Sequence, residues 1–586
     1  MESLGIASSP PTSHFRTWIL LPCPPQIILK VMTMRTRFSL SGSLLILAVI
    51  GPALATAQAL PQVGVADVDS LFVEFDGTRT PGCAVGVSRA GEPVLLRAYG
   101  MADLEHDVTN RAETIIEPGS VAKQFTAAAT VLLALDGLIS FDDDIRTYFP
   151  ELPDYGDVIT IRHLMNHTSG LRDWGSIAGI EGWPRTQRAH THVHVLDIIS
   201  RQQALNYTPG EYYSYTNSGF NLLAMLVERV SGMSFSQFTR ERIFEPLGMT
   251  RTQWRDDFTR VVKDRSVAYR PNGDGGWAML MPFESVYGNG GLLTTVEDLL
   301  SFTRNLETGQ VGGPRFIQEM HRQGVLNSGQ TIFYASGLQV GTYKDVPRVE
   351  HSGSTAGYRG HLVRFPDQGV AVAVMCNVSS GNATQLAYQV ADLYLGDAVS
   401  GYEPPTLAAR VQLSAQRLSS LVGSYVDSRR GTLVRITATD DGLRLGNTSL
   451  VPVSERRFEA TDGTTVTFEA APSADGRPAA IMDSPGADGV RLEPVPPFEP
   501  TEEELGDYLG TFRSDEAEAT YTVVLEDGEL VVKDRWGEGR ILRPIYPDAF
   551  SGGGSIFIFR RDQGGRVTEV SLSQSRVWDL RFRKIR

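Results

Sequence analysis

From residue 62 to about 400, short apolar runs of strand length alternate with longer stretches in which apolar residues recur at helical spacing. Beyond about 415 the pattern changes to short alternating segments broken by Asp-Gly, Gly-Thr and similar turns, which predicts antiparallel β structure. That second region repeats itself. Leu421-Val422-Gly423-Ser424-Tyr425 is echoed by Tyr508-Leu509-Gly510-Thr511-Phe512, and the pairs Asp441-Gly442 and Asp527-Gly528 follow at similar spacing. Proline-rich breaks stand at Glu403-Pro404-Pro405 and at Pro494-Val495-Pro496-Pro497, the second followed by Thr501-Glu502-Glu503-Glu504. The pattern predicts a large mixed domain over 62–400 and two small β domains over 413–495 and 502–586. Within the large domain, Gln124 to Leu135 is rich in Ala, Leu and Val and apolar nearly all round, so it reads as a buried helix. Ser120 stands at its amino end.

The first 57 residues read differently. Arg35 and Arg37 precede a short apolar run, Ser43 to Ile50, and Ala55-Thr56-Ala57 offers small residues where a signal peptidase cuts. The run is short of the roughly 20 apolar residues a membrane span needs. The expectation is a removable leader over 1–57, with Met32 or Met34 as alternative starts, and a periplasmic or secreted protein without a stable membrane anchor. A chain of 586 residues has room for three or four folding units, and its net charge of −14 argues against a nucleic-acid partner. Of three cysteines, only Cys83 and Cys376 follow the leader. Both lie in apolar strand-like runs and are expected as buried thiols, with at most one disulfide possible; their spacing matches no zinc motif.

Candidate chemistry gathers in the large domain. In Ser120-Val121-Ala122-Lys123 the lysine lies one helical turn beyond the serine and shares its face. A serine hydroxyl needs a base, and lysine serves only if its pKa falls; from about 10.4 to near 7 this corresponds to roughly 4 to 5 kcal/mol against the ammonium. A lone Ser-x-x-Lys is weak, with roughly one or more chance matches expected in a chain this long. Its companions carry the signal: Tyr215-Thr216-Asn217 follows, then His351-Ser352-Gly353 at the start of an apolar strand pattern.

With those three motifs in that order, residues 62 to 395 resemble the serine β-lactamase and penicillin-binding protein superfamily. The stretch Ile161-Arg162-His163-Leu164-Met165-Asn166-His167-Thr168-Ser169-Gly170-Leu171 adds to the likeness. The resemblance implies an α/β (α+β) fold, an antiparallel sheet with helices on both faces plus a helical subdomain, ahead of the two small barrel-like domains. It implies Ser120 as nucleophile, Lys123 as its activating partner and Tyr215 as a phenol passing the proton to the leaving group. Asn217 would hold the substrate amide, His351 would supply a polar or cationic contact where many lactamases have lysine, and Gly353 would let substrate lie along the strand. Ser352 replaces the common threonine, and the backbone N–H groups of Ser120 and Ser354 would form the oxyanion hole. His-x-Gly members are more often peptidases or esterases, and two trailing β domains are similar to those of D-aminopeptidases. The expected activity is hydrolysis of an amide or ester in a small-molecule or peptide substrate through an acyl-enzyme, with no cofactor or metal. A β-lactamase, a carboxylesterase and a non-hydrolytic binding or sensor protein stay open as alternatives, and the oligomeric state is open.

Other residues are read structurally. Tyr287-Gly288-Asn289 also fits Tyr-x-Asn, yet it runs into Gly290 to Thr295, a turn and helix cap followed by Glu297 and Asp298. His190, His192 and His194 lack the partners of a metal set, and His163 and His167 are expected to be packed near the cleft. No Gly-x-Ser-x-Gly elbow occurs to support a Ser-His-Asp scheme.

Overall fold

Seven consecutive apolar residues, Val370–Cys376, are all buried, which requires cover on both faces of their strand. They lie inside a six-stranded antiparallel sheet built from β1 (Cys83–Arg89), β2 (Glu92–Tyr99), β3 (Gln339–Tyr343), β4 (Val346–Thr355), β5 (Tyr358–Phe365) and β6 (Val370–Cys376). The strand order is β2-β1-β6-β5-β4-β3. The structure is a computed structural model that describes residues 63–586 apart from 474 and 475. The leader read at 1–57, with Arg35 and Arg37, lies outside the described residues. Among the described residues no helix is long and apolar enough to cross a membrane.

The helices that matter for the site are α1 (Lys123–Leu135), α2 (Ile161–Met165), α3 (Trp174–Glu181), α4 (His192–Ser200), α5 (Asn217–Ser231), α6 (Val296–Thr308) and α7 (Ala383–Leu395). Successive side chains of β6 alternate between two cores. Val370, Val372 and Val374 pack with Leu386 and Val390 of α7, while Ala371, Ala373 and Met375 face the core that holds Val296, Leu299 and Leu300 of α6. The alanines are small because α6 lies close: a β-carbon on Gly86 of β1 would stand 3.1 Å from Leu300. Helix α1 is buried from Lys123 to Leu133 and packs against α5, so it forms the spine of the helical half.

The cysteine expectation needs correction. β1 and β6 run antiparallel with Cys83 directly opposite Cys376, and the two form a disulfide with Cα atoms 3.9 Å apart. The two residues are 293 positions apart in sequence, so only the strand register brings the sulfurs together.

The C-terminal region forms two closed eight-stranded antiparallel barrels, over strands from Gly423–Asp427 to Ala487–Pro494 and from Gly510–Ser514 to Val577–Lys584. The repeated sequence has a repeated conformation: Gly423 and Gly510 both take φ near +150° (150° and 146°), and Tyr425 and Phe512 two positions on are both fully buried in their barrels. Each barrel turns the hairpin between its seventh and eighth strands toward the large domain. In the first, the hairpin Pro478–Ser484 to Ala487–Pro494 exchanges hydrogen bonds at Gly486 with Tyr213 and Gln330. In the second, β7 (Val567–Gln574) and β8 (Val577–Lys584) carry Ser575 and Arg576 at their tip. Arg172 of the large domain anchors that hairpin, donating to Glu516 at 2.7 Å and to the carbonyls of Trp578 and Asp579 at 3.2 Å.

Candidate active site

Ser120 lies in a 3₁₀ turn, Gly119–Ala122, that leads into α1. The turn sits back to back with β4 at a separation only glycine permits: a β-carbon on Gly353 would fall 1.9 Å from the Pro118 carbonyl oxygen and 2.6 Å from the Ser120 nitrogen. Gly119, at φ +56°, meets the Ser354 nitrogen in the same way. The close approach brings the backbone of Ser120 and Ser354 together beside one cleft of about 600 Å³, which Ser120, Tyr215, Asn217, His351, Ser352, Gly353 and Ser354 all line.

Lys123 is fully buried, with its Nζ 3.1 Å from Ser120 Oγ, 3.0 Å from Asn217 Oδ1 and 2.6 Å from the Asn289 carbonyl oxygen. Burial, followed by the Arg576 and Arg185 guanidiniums, holds its pKa well below the ordinary lysine value. A neutral amine has two N–H donors and one lone pair. Asn217 and Asn289 take the two donors, which leaves the lone pair for the serine O–H. The arrangement is therefore that of a base aimed at a hydroxyl.

Tyr215 places its half-buried ring 4.8 Å from Lys123 Nζ. Burial raises its phenol well above the ordinary value, partly offset by the neighbouring Ser120 hydroxyl and by Arg576, so the phenol keeps its proton at neutral pH. Its hydroxyl faces the Ser120 hydroxyl. Asn217 opens α5, and its N–H donates to Asp173 Oδ2 at 2.7 Å. The same carboxylate caps α3 by accepting the Ser176 N–H, so Asp173 ties two helix starts together under the site. His167, at φ +59°, accepts the Thr216 N–H through Nδ1 and packs tilted against the Tyr215 ring with centroids 4.2 Å apart. Burial holds its pKa well below the ordinary histidine value.

Of the polar or cationic contact expected of His351, the cationic form is ruled out. Its Nδ1–H donates to the Ser352 carbonyl at 2.6 Å and its Nε2 accepts the Tyr334 hydroxyl at 2.9 Å, so both ring nitrogens are committed to protein partners. Burial pushes its pKa down to about 3, and the ring cannot act as the cation that a lysine at this position supplies.

Asn289 belongs to the segment read as structural. The cap is there: Thr295 accepts the Asp298 N–H at the start of α6. Yet the Asn289 carbonyl holds Lys123, and its Oδ1 accepts from Asn221 at 2.8 Å. The match to Tyr-x-Asn was a signal for it, although the backbone rather than the side chain meets the lysine. Buried Arg255 pairs with Glu117, whose Oε1 also accepts the Gly291 N–H, and so fixes the loop ahead of Ser120 to the loop of Asn289. His190 and His192 hydrogen-bond to the Trp183 and Tyr287 carbonyls, and His194 closes a capping box on Thr191 at the start of α4.

Arg576 has no counterpart in the sequence reading. From the tip of the β7–β8 hairpin it lines the Ser120 cleft, with its guanidinium carbon 5.0 Å from the Tyr215 ring centroid. Its carbonyl accepts the Asp173 N–H at 3.2 Å and the Asn206 side chain at 3.1 Å, so the tip is held on the backbone while the side chain points into the site.

Ser-x-x-Lys, Tyr-x-Asn and His-x-Gly thus meet in one cleft, and a family model described as Beta-lactamase matches residues 68–395. The chain belongs to the β-lactamase family. It is a serine hydrolase of the β-lactamase and penicillin-binding protein type. It is 26% identical over 547 residues to a D-aminopeptidase of Gluconobacter oxydans (strain 621H), covering 89% of this chain and 98% of that protein. It is 25% identical over 411 residues to penicillin-binding protein 4* of Bacillus subtilis (strain 168), covering 66% of this chain and 88% of that protein. An octameric penicillin-binding protein homologue from Pyrococcus abyssi superposes with a TM-score of 0.52 at 24% identity, over 73% of this chain and all of that one, and shares the fold. The Gluconobacter relative's coverage of this chain exceeds the family domain and so reaches into the barrel region.

Proposed function

We propose that this hydrolase is exported and cleaves the amide bond of small D-amino-acid amides or peptides through an acyl-enzyme on Ser120. The observation that carries the chemistry is the Lys123 amine, with two donors fixed and its lone pair free for Ser120 Oγ at 3.1 Å. Lys123 takes the hydroxyl proton as Oγ attacks the carbonyl carbon, and the negative charge that develops on the carbonyl oxygen meets the N–H groups of Ser120 and Ser354. One such donor is worth about 2.7–4 kcal/mol in comparable enzymes. The protonated Tyr215 delivers a proton to the departing nitrogen and regains one from Lys123; water then releases the acid from Ser120. Asn217 orients the substrate amide.

The choice of substrate rests on two supports. Relatives named D-aminopeptidase align over nearly their whole length, reaching beyond the family domain. The neutral His351 removes the cation that a lactamase-type motif places on β4, which favours peptides over β-lactams. The buried Cys83–Cys376 disulfide supports an oxidising compartment, periplasmic or extracellular.

The test is intact-mass and turnover measurement of the leaderless protein with a D-alanine anilide, a penicillin and a short-chain ester, beside Ser120→Ala. Turnover or an adduct that needs Ser120, strongest with the anilide, is the expected result. Hydrolysis that persists in Ser120→Ala overturns the assignment of the nucleophile, and a strong preference for the penicillin or the ester overturns the substrate class.

A further inference from the structure

A second hydroxyl lines the Ser120 cleft with an imidazole and a carboxylate behind it. It belongs to Thr384, in the first turn of α7. Its Oγ1 lies 3.2 Å from His361 Nδ1, and the Nε2 of that buried ring lies 3.1 Å from Glu350 Oε2. Glu350 also accepts the Tyr388 hydroxyl at 2.5 Å and forms an ion pair with Arg348. Burial works against its ionisation, but His361, Arg348 and Tyr388 hold its carboxyl below the ordinary range, and a carboxylate can only accept. Facing it, Nε2 carries the ring proton, and in the neutral ring Nδ1 then offers only a lone pair. Thr384 gives its single O–H to that lone pair, which leaves its oxygen lone pairs for the cleft. The hydroxyl is therefore an acceptor of fixed polarity and not a free rotor.

Strand register shows where this acceptor stands. His361 is directly opposite Ser352 in the β4–β5 ladder, and Ser352 precedes Ser354, the oxyanion donor, by two residues, or about 7 Å of strand. That is too far for Thr384 to touch the carbonyl under attack, and it matches the reach from that carbonyl to the next amide of an extended peptide. The side is also fixed. Tyr215, which protonates the departing nitrogen, has its ring centroid 6.2 Å from that of His351, the neighbour of Ser352. The leaving group thus lies toward the Ser352 end of β4, where Thr384 waits.

We propose that Thr384 is a substrate-binding residue whose hydroxyl, held by His361 and Glu350, accepts the amide N–H that follows the departing residue, so that the enzyme favours leaving groups extended by a further amide. The inference rests on the amide-hydrolase reading and narrows it. His361 and Glu350 act through Thr384 and are positioning residues. An ester oxygen in place of that N–H sets lone pairs against lone pairs, and a site built to bond an N–H rejects the analogue that lacks it. The D-alanine anilide has no second amide, so it reports the chemistry at Ser120 and not this contact.

The experiment compares kcat/KM for cleavage of the peptide bond in D-alanyl-D-alanine N-methylamide and in D-alanyl-D-alanine methyl ester, which differ by N–H against O. Products are identified by mass, so that loss of the methyl ester itself is not counted. The N-methylamide is expected to exceed the ester by about fivefold, as one neutral hydrogen bond provides. In Thr384→Val that ratio falls to near one, and Thr384→Ser restores it. In His361→Gln it falls part of the way, because the threonine hydroxyl is free to rotate. Equal rates for the two peptides in the wild type, or an unchanged ratio in Thr384→Val, overturns the proposal; a ratio that falls in Thr384→Val but not in His361→Gln overturns the part given to His361. Calorimetric titration of Ser120→Ala with both peptides separates this from the hydrolase reading. Selective binding of the N-methylamide without any turnover by the wild type rejects amide hydrolysis and keeps the contact; absence of selective binding rejects the contact whatever the turnover.

Discussion

The two barrels have the same number of strands, the same closure and the same hairpin turned to the large domain, yet one hairpin reaches the reacting groups and the other does not. At the tip in the first barrel, the Gly486 carbonyl accepts the Tyr213 N–H and its N–H meets Gln330. At the tip in the second, the Arg576 carbonyl accepts from Asp173 and Asn206. Both tips dock through backbone groups. Docking of that kind is indifferent to the side chain carried, so a duplicated barrel can hold its position while its tip residue is free to specialise. In the second barrel that residue is an arginine aimed at Tyr215; in the first it is a glycine.

The comparison is broken most severely at Arg172, which ties the second hairpin down. Its side chain is 2% exposed and bonds Gln202, Glu516 and two barrel carbonyls. Arg172→Ala removes all four bonds, leaving Glu516 only the Gln203 N–H, and is expected to cost about 3 kcal/mol. Urea unfolding should show that loss together with weakened turnover as Arg576 loses its placement. A midpoint equal to the wild type would mean that the barrel is held by other contacts.

Next in size is the effect of Arg576 on the base. Its charge helps to keep Lys123 below the ordinary lysine pKa, after burial itself. Without it the lysine holds its proton to higher pH, and a protonated lysine cannot take the serine proton. In Arg576→Ala the acid limb of the kcat/KM profile is therefore expected to move to higher pH, with no such movement for substitutions at the first barrel's tip. An unmoved limb would show that burial alone sets the base.

Much of this was legible in the chain. The three motifs name Ser120, Lys123, Tyr215 and Asn217 because each must present a particular functional group at a fixed backbone position, and local spacing records that. The barrels were legible as a repeat because Gly423 and Gly510 share a backbone conformation that few other residues adopt. What escaped depends on contacts between distant segments. The Cys83–Cys376 bond follows from strand register across 293 residues, and the Arg255–Glu117 pair joins loops 138 residues apart. Arg576 lies in an ordinary hairpin between Ser575 and Val577, and nothing local distinguishes it from a solvated arginine. His351 was legible as a motif residue, but its charge state depends on Tyr334 and on burial, which the motif does not contain.

A smaller effect sharpens the contrast between the large domain and both barrels. The barrels contain no histidine, since the last in the chain is His361. His351 titrates at about 3 in the folded protein and at 6.5 as a free side chain. Between these values the unfolded chain binds a proton that the native one does not, so stability rises with pH through the window and is lost as pH falls from 6.5 toward 3. His167, also held below its ordinary value, acts with the same sign. His351→Asn should therefore lose less stability between pH 7 and 4.5 than the wild type, measured by urea unfolding. Equal losses would mean that His351 is not held neutral.

The smallest effect is expected at the first barrel's tip, and it tests whether the asymmetry is real. Gly486 has φ +86°, and an added β-carbon would stand 3.3 Å from the β-carbon of Tyr213, close enough to require a slight shift. Gly486→Ala keeps the backbone bonds to Tyr213 and Gln330, so its cost is mostly that of a left-handed alanine, about 1 kcal/mol. Thermal unfolding should register that cost, while the pH profile of kcat/KM for the D-alanine anilide stays as in the wild type. Tyr213 lies beside His167 and Tyr334, so a disturbance passed through it would reach the cleft. If Gly486→Ala moves the acid limb as Arg576→Ala does, the first barrel also shapes the cleft and the difference between the two tips is one of degree. If only stability changes, the first barrel is a brace and the second is part of the site.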